Sequence, residues 1–377
     1  MSQLLEIRNQ IDDIDSQISK LFSKRIDLAC NVAMYKIANN LDVFDPVREN
    51  EKKQRISESI EDPFLSQAMV ELFSQIMSLS KKIQYRMLAE AGRVWNSDYK
   101  SVDSFDFSNA TVVYQGVEGA YSQMAQISFF GDSIKKAYHV ETWRDAMEAL
   151  QNGQADFAVL PIENSTAGSV VENYDLMTEF DVSIIGEQII DINHALLGLP
   201  GADISDIKTV YSHPQAIMQC DRFLREHPSI EAKSLENTAV SAKKVKDDND
   251  PSCAAIAGEL NARLYGLRVL ERNIQDEQNN ITRFIIISKD HVYKKDAGQV
   301  SVSFILPHES GTLYQALSHF IFNGLNMTRI ESRPIKDRQW VYRFFIDFSG
   351  NLKDDATINA LRGLSEETEE LRVLGNY

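Results

Sequence analysis

The chain has 377 residues, with 39 Lys and Arg against 55 Asp and Glu, a net charge of −16. At about 150 residues per domain this is length for two to three domains, and the negative balance argues against nucleic acid or anionic lipid over any broad surface. No apolar run reaches about 18 residues, so neither a membrane span nor a membrane partner is expected; the start lacks the basic and apolar blocks of a signal peptide; and Cys30, Cys220 and Cys253, odd in number and far apart, suit a reducing cytoplasm and no metal site.

Residues 1–91 contain no Gly and only two Pro, Pro46 and Pro63, each preceded by an Asp. Asp-Pro sets an N-cap before the first helical position, so three helices are expected, at about 3–38, 45–60 and 63–90. In the first, Leu4, Ile7, Ile11, Ile14, Ile18, Leu21, Leu28, Val32 and Tyr35 form a heptad seam whose one gap holds Arg25. A charge there needs a partner. The third helix carries a similar seam, with Ser80 and Gln84 one turn apart beside it. Arg25 paired with a carboxylate such as Glu49 would only fix register. Arg25, Lys36 and Arg48 gathered with Asp45, Glu49, Ser80 and Gln84 would suit a dicarboxylate ligand.

Residues 4–85 resemble the all-helical chorismate mutase family. Arg8, Arg25, Lys36, Asp45, Arg48, Glu49, Ser80 and Gln84 fall where that family binds substrate. The resemblance implies rearrangement of chorismate to prephenate, with no cofactor and no covalent intermediate. It further implies that Lys36 and Gln84 donate to the ether oxygen, that the arginines clamp carboxylates and that Glu49 takes the ring hydroxyl. It also implies an intertwined dimer of three-helix chains. Spacing agrees: Arg8 and Arg25 on one helix stand about 25 Å apart, too far to hold one small ligand together.

Residues 92–109 are polar and irregular, an expected linker. From Thr111 to Ser288 strand-like runs alternate with helical patterns, an α/β signature. Three polar stretches stand where strands meet loops. Gly116-Val-Glu-Gly119-Ala-Tyr-Ser122 precedes a helix whose free N–H groups would hold an anion, without the dinucleotide spacing. Pro161-Ile-Glu163-Asn164-Ser165 follows an expected strand, Phe157–Leu160, and reads equally as a cap or turn. Asn280-Ile-Thr282-Arg283-Phe284 enters an apolar strand, where a Thr is commonly structural. His213, before Pro214, reads as a turn residue, or as a general base with no nucleophile beside it.

Jointly the Gly-Ala-Tyr-Ser, Pro-Ile-Glu-Asn, Ser-His-Pro-Gln and Thr-Arg-Phe motifs resemble prephenate dehydratase over residues 111–288. That resemblance implies two α/β lobes around a cleft, similar to type II periplasmic binding proteins. It implies loss of carbon dioxide and hydroxide from prephenate to give phenylpyruvate. Thr282 matches the catalytic threonine, and Ser122, Glu163, Asn164, Ser212, Gln219 and Arg283 are expected at the substrate.

After a second linker, 289–298, come a strand (Val300–Leu306), a helix (Thr312–Phe322), strands Asn326–Arg333 and Trp340–Phe348, and a helix near Asp355–Thr368. This βαββα order suits a ferredoxin-like α+β sandwich. Residues 299–377 resemble an ACT regulatory domain through Gly311-Thr-Leu-Tyr314 and Glu331-Ser-Arg-Pro334. The resemblance implies phenylalanine as effector at Gly311, Leu313, Glu331, Ser332, Arg333 and Pro334, although Thr312 and Tyr314 depart from the frequent Gly-Ala-Leu-Val. The expected domains are therefore 1–91, 110–288 and 299–377, in a homodimer or larger homo-oligomer. The whole chain resembles the bifunctional chorismate mutase/prephenate dehydratase family. A ligand sensor without catalysis would need neither Thr282 nor the helical set, and a fused dehydrogenase would need the missing dinucleotide fingerprint.

Overall fold

The computed structural model describes residues 2–93, 95–336 and 338–377; Val94, in the first expected linker, lies outside them. The chain forms two compact units, Met1–Asp98 with Gly298–Val373, and Tyr99–Ala297 with Leu374–Tyr377. Among the described residues no helix is long and apolar enough to cross a membrane.

The first unit begins with helices α1 (Ser2–Ala38), α2 (Pro46–Glu58) and α3 (Pro63–Glu90). The Asp45 side chain accepts from Arg48 N and that of Asp62 from Leu65 N, so both Asp-Pro pairs start helices as their chemistry dictates. Tyr85 and Leu88 of α3 are fully buried with Val43. The seam of α1 is not covered: Ile14 is 55% exposed and Leu21 68%.

In the second unit, β1 (Lys100–Val102), β2 (Thr111–Gln115), α4 (Tyr121–Phe130), β3 (Lys136–Val140), α5 (Trp143–Gln151), β4 (Phe157–Asn164), β5 (Gly168–Ser169), α6 (Val171–Glu179) and β6 (Ser183–Asp191) build one lobe. The second lobe comprises β7 (Ala195–Gly198), β8 (Thr209–Ser212), α7 (Pro214–Met218), α8 (Asp221–Glu226), β9 (Glu231–Ser234), α9 (Thr238–Asp248), β10 (Cys253–Ala257), α10 (Leu260–Tyr265) and β11 (Arg268–Glu271). Strands β12 (Ile281–Ser288) and β13 (Val292–Lys294) follow. One sheet runs β6-β12-β4-β2-β3, the other β11-β7-β10-β8-β9. The chain thus crosses between sheets twice, after β6 and before β12, and polar residues gather at these crossings.

Both expected linkers contain ordered strand. Lys100–Val102 pairs in parallel with Val292–Lys294, and Phe107 packs 4.9 Å from Phe130. Three-residue strands are too short to leave a periodic trace in polar sequence. Strand β4 also outruns expectation and contains the Pro161–Asn164 motif. Its register against β12 shifts between Arg283 and Phe284, opposite Glu163 and Pro161. Such a bulge accommodates a proline within a strand and re-aims the side chains that follow.

The chain ends with β14 (Gln299–Ile305), α11 (Thr312–Phe322), β15 (Met327–Pro334), β16 (Tyr342–Ser349), α12 (Asp355–Glu367) and β17 (Glu369–Asn376), in the order β15-β16-β14-β17. The final strand extends the expected βαββα to βαββαβ, the ferredoxin-like order. Glu369 and Glu370 at its start are exposed, and the sequence expectation ends with the helix near Thr368.

Candidate active sites

Two sets of polar side chains are assembled, one in each unit. In the first, Arg25 of α1 donates from Nη1 to Ser80 Oγ, and to Ile76 O at 3.3 Å. Gln84 Nε2 donates to Ser80 O at 3.2 Å, while its Oε1 is buried without a hydrogen-bond partner among the described residues. Lys36 Nζ donates to Val43 O at 2.7 Å. Burial lowers the Lys36 pKa, opposed by the carboxylates of Asp45, Glu366, Asp42 and Glu49; burial also lowers that of Arg25. Glu49 is not the partner of Arg25. It meets Lys81 Nζ at 3.1 Å, and a serine hydroxyl takes its place at the arginine. Asp45 accepts the Arg48 N–H at 3.0 Å as the α2 cap, and Arg48 is exposed. Arg8 stands exposed near the start of the same unbroken helix as Arg25. Arg25, Ser80 and Gln84 thus come together within one chain, and Arg8 does not join them. Lys81 escaped the sequence reading, although Lys81-Lys82 interrupting the apolar seam of α3 was a visible signal.

In the second unit a cavity of about 470 Å³ opens between the lobes, lined among others by Tyr121, Ser122, Trp143, Asn164, His194, His213, Gln219 and Thr282. Asn164 organises it. Its Nδ2 donates to Thr282 Oγ1 at 2.9 Å and to Asn280 Oδ1 at 2.8 Å, and its Oδ1 accepts from the backbone N–H groups of Thr166 and Ala167 and from the Thr166 hydroxyl. The turn and the contact with Thr282 are therefore one arrangement. Gln219 Nε2 reaches Thr166 Oγ1 at 2.7 Å, its Oε1 meets His194 Nε2 at 3.0 Å, and His194 Nδ1 meets the Tyr121 hydroxyl at 3.1 Å. A continuous chain of hydrogen bonds so joins Tyr121 to Thr282 across both lobes. Burial lowers the His194 pKa, opposed by the Gln219 hydrogen bond.

Other expected residues are placed differently. The Ser212 hydroxyl is buried and donates to Ile256 O at 2.6 Å, outside the cavity lining, because alternation in β8 turns it inward. Arg283 follows Thr282 in β12 and so takes the opposite face, with Nε 2.7 Å from Glu187 and Nη2 3.0 Å from the Tyr377 hydroxyl. Glu163 stands opposite Arg283 and does not line the cavity either. Ser122 lines it, with its hydroxyl donating to Gln115 O. The loop before α4 is less open to an anion than its glycines suggest, since Gly119 N donates to Gln123 Oε1 at 2.6 Å and Ala120 N to Val117 O. Gly119 itself is required: its φ is +91°, and a Cβ would sit 2.0 Å from Asn261 Oδ1. His213 caps α7 by accepting Gln215 N while also facing the cavity, and burial lowers its pKa. His194, Thr166 and Trp143 carried no sequence motif; only the crossing after β6 brings His194 here.

In the C-terminal module, Gly311 caps α11 with φ +85°. Glu331 and Arg333 of the edge strand β15 are half-buried, while Ser332 and Pro334 face outward, so the four alternate between two faces.

A family model for prephenate dehydratase matches residues 112–292, and one for chorismate mutase type II matches residues 7–85. A bifunctional chorismate mutase/prephenate dehydratase of Aquifex aeolicus is 33% identical over 386 residues, covering 100% of this chain and 98% of that protein. The chain belongs to the bifunctional chorismate mutase/prephenate dehydratase family. It carries both activities of that family, with chorismate and prephenate as substrates. Two solved structures are similar to a large part of the chain. Prephenate dehydratase from Arthrobacter aurescens in complex with L-Phe has 33% identity and a TM-score of 0.66, covering 71% of this chain and 89% of that one. GqqA, described as a novel type of quorum quenching acylase, has 30% identity and a TM-score of 0.65, covering 70% and 96%. One fold serves more than one chemistry, so the likeness over the whole chain, helices included, decides between them.

Proposed function

We propose that the helical set performs the mutase step and the interlobe cavity the dehydratase step, with Thr282 as the acid. The carrying observation is the hydrogen bond from Asn164 Nδ2 to Thr282 Oγ1 at 2.9 Å. A hydroxyl that accepts there keeps its own proton for the cavity. Thr282 gives that proton to the departing hydroxide, which leaves as water while the carboxylate leaves as carbon dioxide and the ring becomes aromatic. The Asn164 amide stabilises the charge left on Oγ1, and solvent restores the proton. Among the described residues lining the cavity there is neither Lys nor Arg, so amides such as that of Gln219, whose second N–H is left beyond its bond to Thr166, hold the substrate's carboxylates. Ser212, Glu163 and Arg283 support these strands from behind.

In the mutase step Arg25 and Arg48 clamp carboxylates, Lys36 and Gln84 donate to the ether oxygen as its bond breaks, and Glu49 accepts the ring hydroxyl. Gln84 Nε2 gives one N–H to Ser80 O, and its second N–H suits such a role. Arg8 completes the site from a second chain, whose α1 covers the exposed seam. Phenylalanine acts on the C-terminal module as an ACT domain, at Gly311, Leu313 and the Glu331–Pro334 stretch; the L-Phe complex of the Arthrobacter protein supports this reading. The test is to supply chorismate, without cofactor, to the whole protein and its variants. Wild type yields phenylpyruvate, Thr282→Ala accumulates prephenate, and Lys36→Ala makes no prephenate yet dehydrates it when added. Loss of both activities in either folded variant overturns the assignment.

A further inference from the structure

Lys81 lies on α3 directly after Ser80, and its side chain is only 8% exposed. An ammonium so enclosed requires an anion. Two carboxylates meet it: Glu49 Oε1 of α2 at 3.1 Å and Glu367 Oε1 of α12 at 2.6 Å. The Phe44 ring covers it, with Nζ 4.5 Å from the ring centroid. Glu367 is itself buried, and its other oxygen accepts from His319 Nε2 of α11 at 3.1 Å. Next to it, Lys82 Nζ donates to Ser318 Oγ of α11 at 2.7 Å, and the Tyr85 hydroxyl to Glu366 Oε2 of α12 at 3.1 Å. The C-terminal module therefore reaches, through one buried lysine, a carboxylate of the helical site.

We propose that Lys81 is a positioning residue for Glu49, and that Glu367 of the C-terminal module tunes this by sharing the same ammonium. This rests on the reading above that Glu49 accepts the chorismate ring hydroxyl. Lys81 fixes Glu49 through Oε1 and leaves Oε2 to the ligand. Alone with Glu49, the ammonium would pair with it fully and weaken it as an acceptor. Glu367, at the shorter distance, takes the larger share of the charge. The mutase site is in this sense finished by the C-terminal module, whatever effector that module binds.

The test uses the full-length protein, with dehydratase activity as a check on folding. Lys81→Met should raise the mutase KM for chorismate about ten-fold with kcat within about two-fold, because a contact made equally in ground and transition states acts on KM. Lys81→Arg should recover part of this, and Glu367→Gln should raise KM several-fold. In a Glu49→Gln background Lys81→Met should add nothing, since it acts through Glu49. An unchanged KM in Lys81→Met, a fall in kcat at constant KM, or full additivity with Glu49→Gln overturns the proposal. Should Lys81→Met fail to fold, an unchanged KM in Glu367→Gln overturns it instead. If Glu49→Gln alone leaves mutase kinetics untouched, the reading of Glu49 as a substrate contact is what fails.

Discussion

Two side-chain arrangements make opposite use of burial. Thr282 is 8% exposed and Asn164 9%, so their hydrogen bond acts where water scarcely competes. Asn164→Asp would replace the donating amide by an acceptor, turn the threonine proton towards the new carboxylate and take it from the substrate. Dehydratase kcat should fall by about a hundred-fold or more while mutase is unchanged, measured on the two substrates separately. At Glu367 burial alone would raise the pKa, but the His319 hydrogen bond and the charge of Lys81 outweigh it and hold the carboxyl at about 2. A pKa below the unfolded value means the folded state binds fewer protons, so stability is gained above about 4.5 and lost as pH falls towards 2. Glu367→Gln should therefore melt lower than wild type at pH 6, by the order of 3 kcal/mol expected when a buried pair is broken. That gap should narrow steadily on acidification to pH 3; a constant gap would show that the carboxylate charge is not its source.

Among elements, the start of helix α11 rests on one backbone angle. Gly311 starts it with φ +85°, a left-handed conformation that costs other residues about 1–2 kcal/mol. A Cβ there meets no atom within 4 Å, so Gly311→Ala strains the backbone without a clash. The start of α11 should shift, and half-inhibition of the dehydratase by phenylalanine should move to higher concentration at unchanged uninhibited rate. An unmoved inhibition curve would place the effector elsewhere. Beside Gly311 a cavity of about 350 Å³ is also lined by Ser74 and Ser78 of α3, so this helix end adjoins the helical segment within the same unit.

At the scale of the whole molecule, the feature that bears on the proposed two-chain mutase site is the unbroken α1, Ser2–Ala38. It holds Arg8 and Arg25 about 25 Å apart along one axis, and its seam is open. An antiparallel copy would cover the seam and bring Arg8 of one chain towards Arg25 of the other. Arg8→Ala and Arg25→Ala should each be nearly inactive as mutases, yet about a quarter of wild-type activity should return when they are refolded together, because half the randomly paired dimers hold one intact site. Mixed protein no more active than its components would assign both arginines to one chain.

Much of this was legible in the residues themselves. Asp45-Pro46 and Asp62-Pro63 start helices through chemistry confined to a few neighbouring positions, and the absence of Gly before Gly92 lets those helices run. Strand alternation and the polar motifs between residues 111 and 288 likewise announce an α/β unit, because a side chain's face follows from its place in the chain. What local pattern could not decide was which polar residues share a space. Ser212 and Arg283 sit inside motifs and turn away from the cavity, since neighbours in a strand face opposite sides. His194 and Thr166 lie outside any motif and join the chain of hydrogen bonds that ends at Thr282. Lys81 carried no expectation from its sequence position. Only packing of α2 and α12 against α3 could show that its charge is answered by Glu49 and Glu367, because a buried ion's partner is chosen by proximity in space, to which sequence separation is no guide.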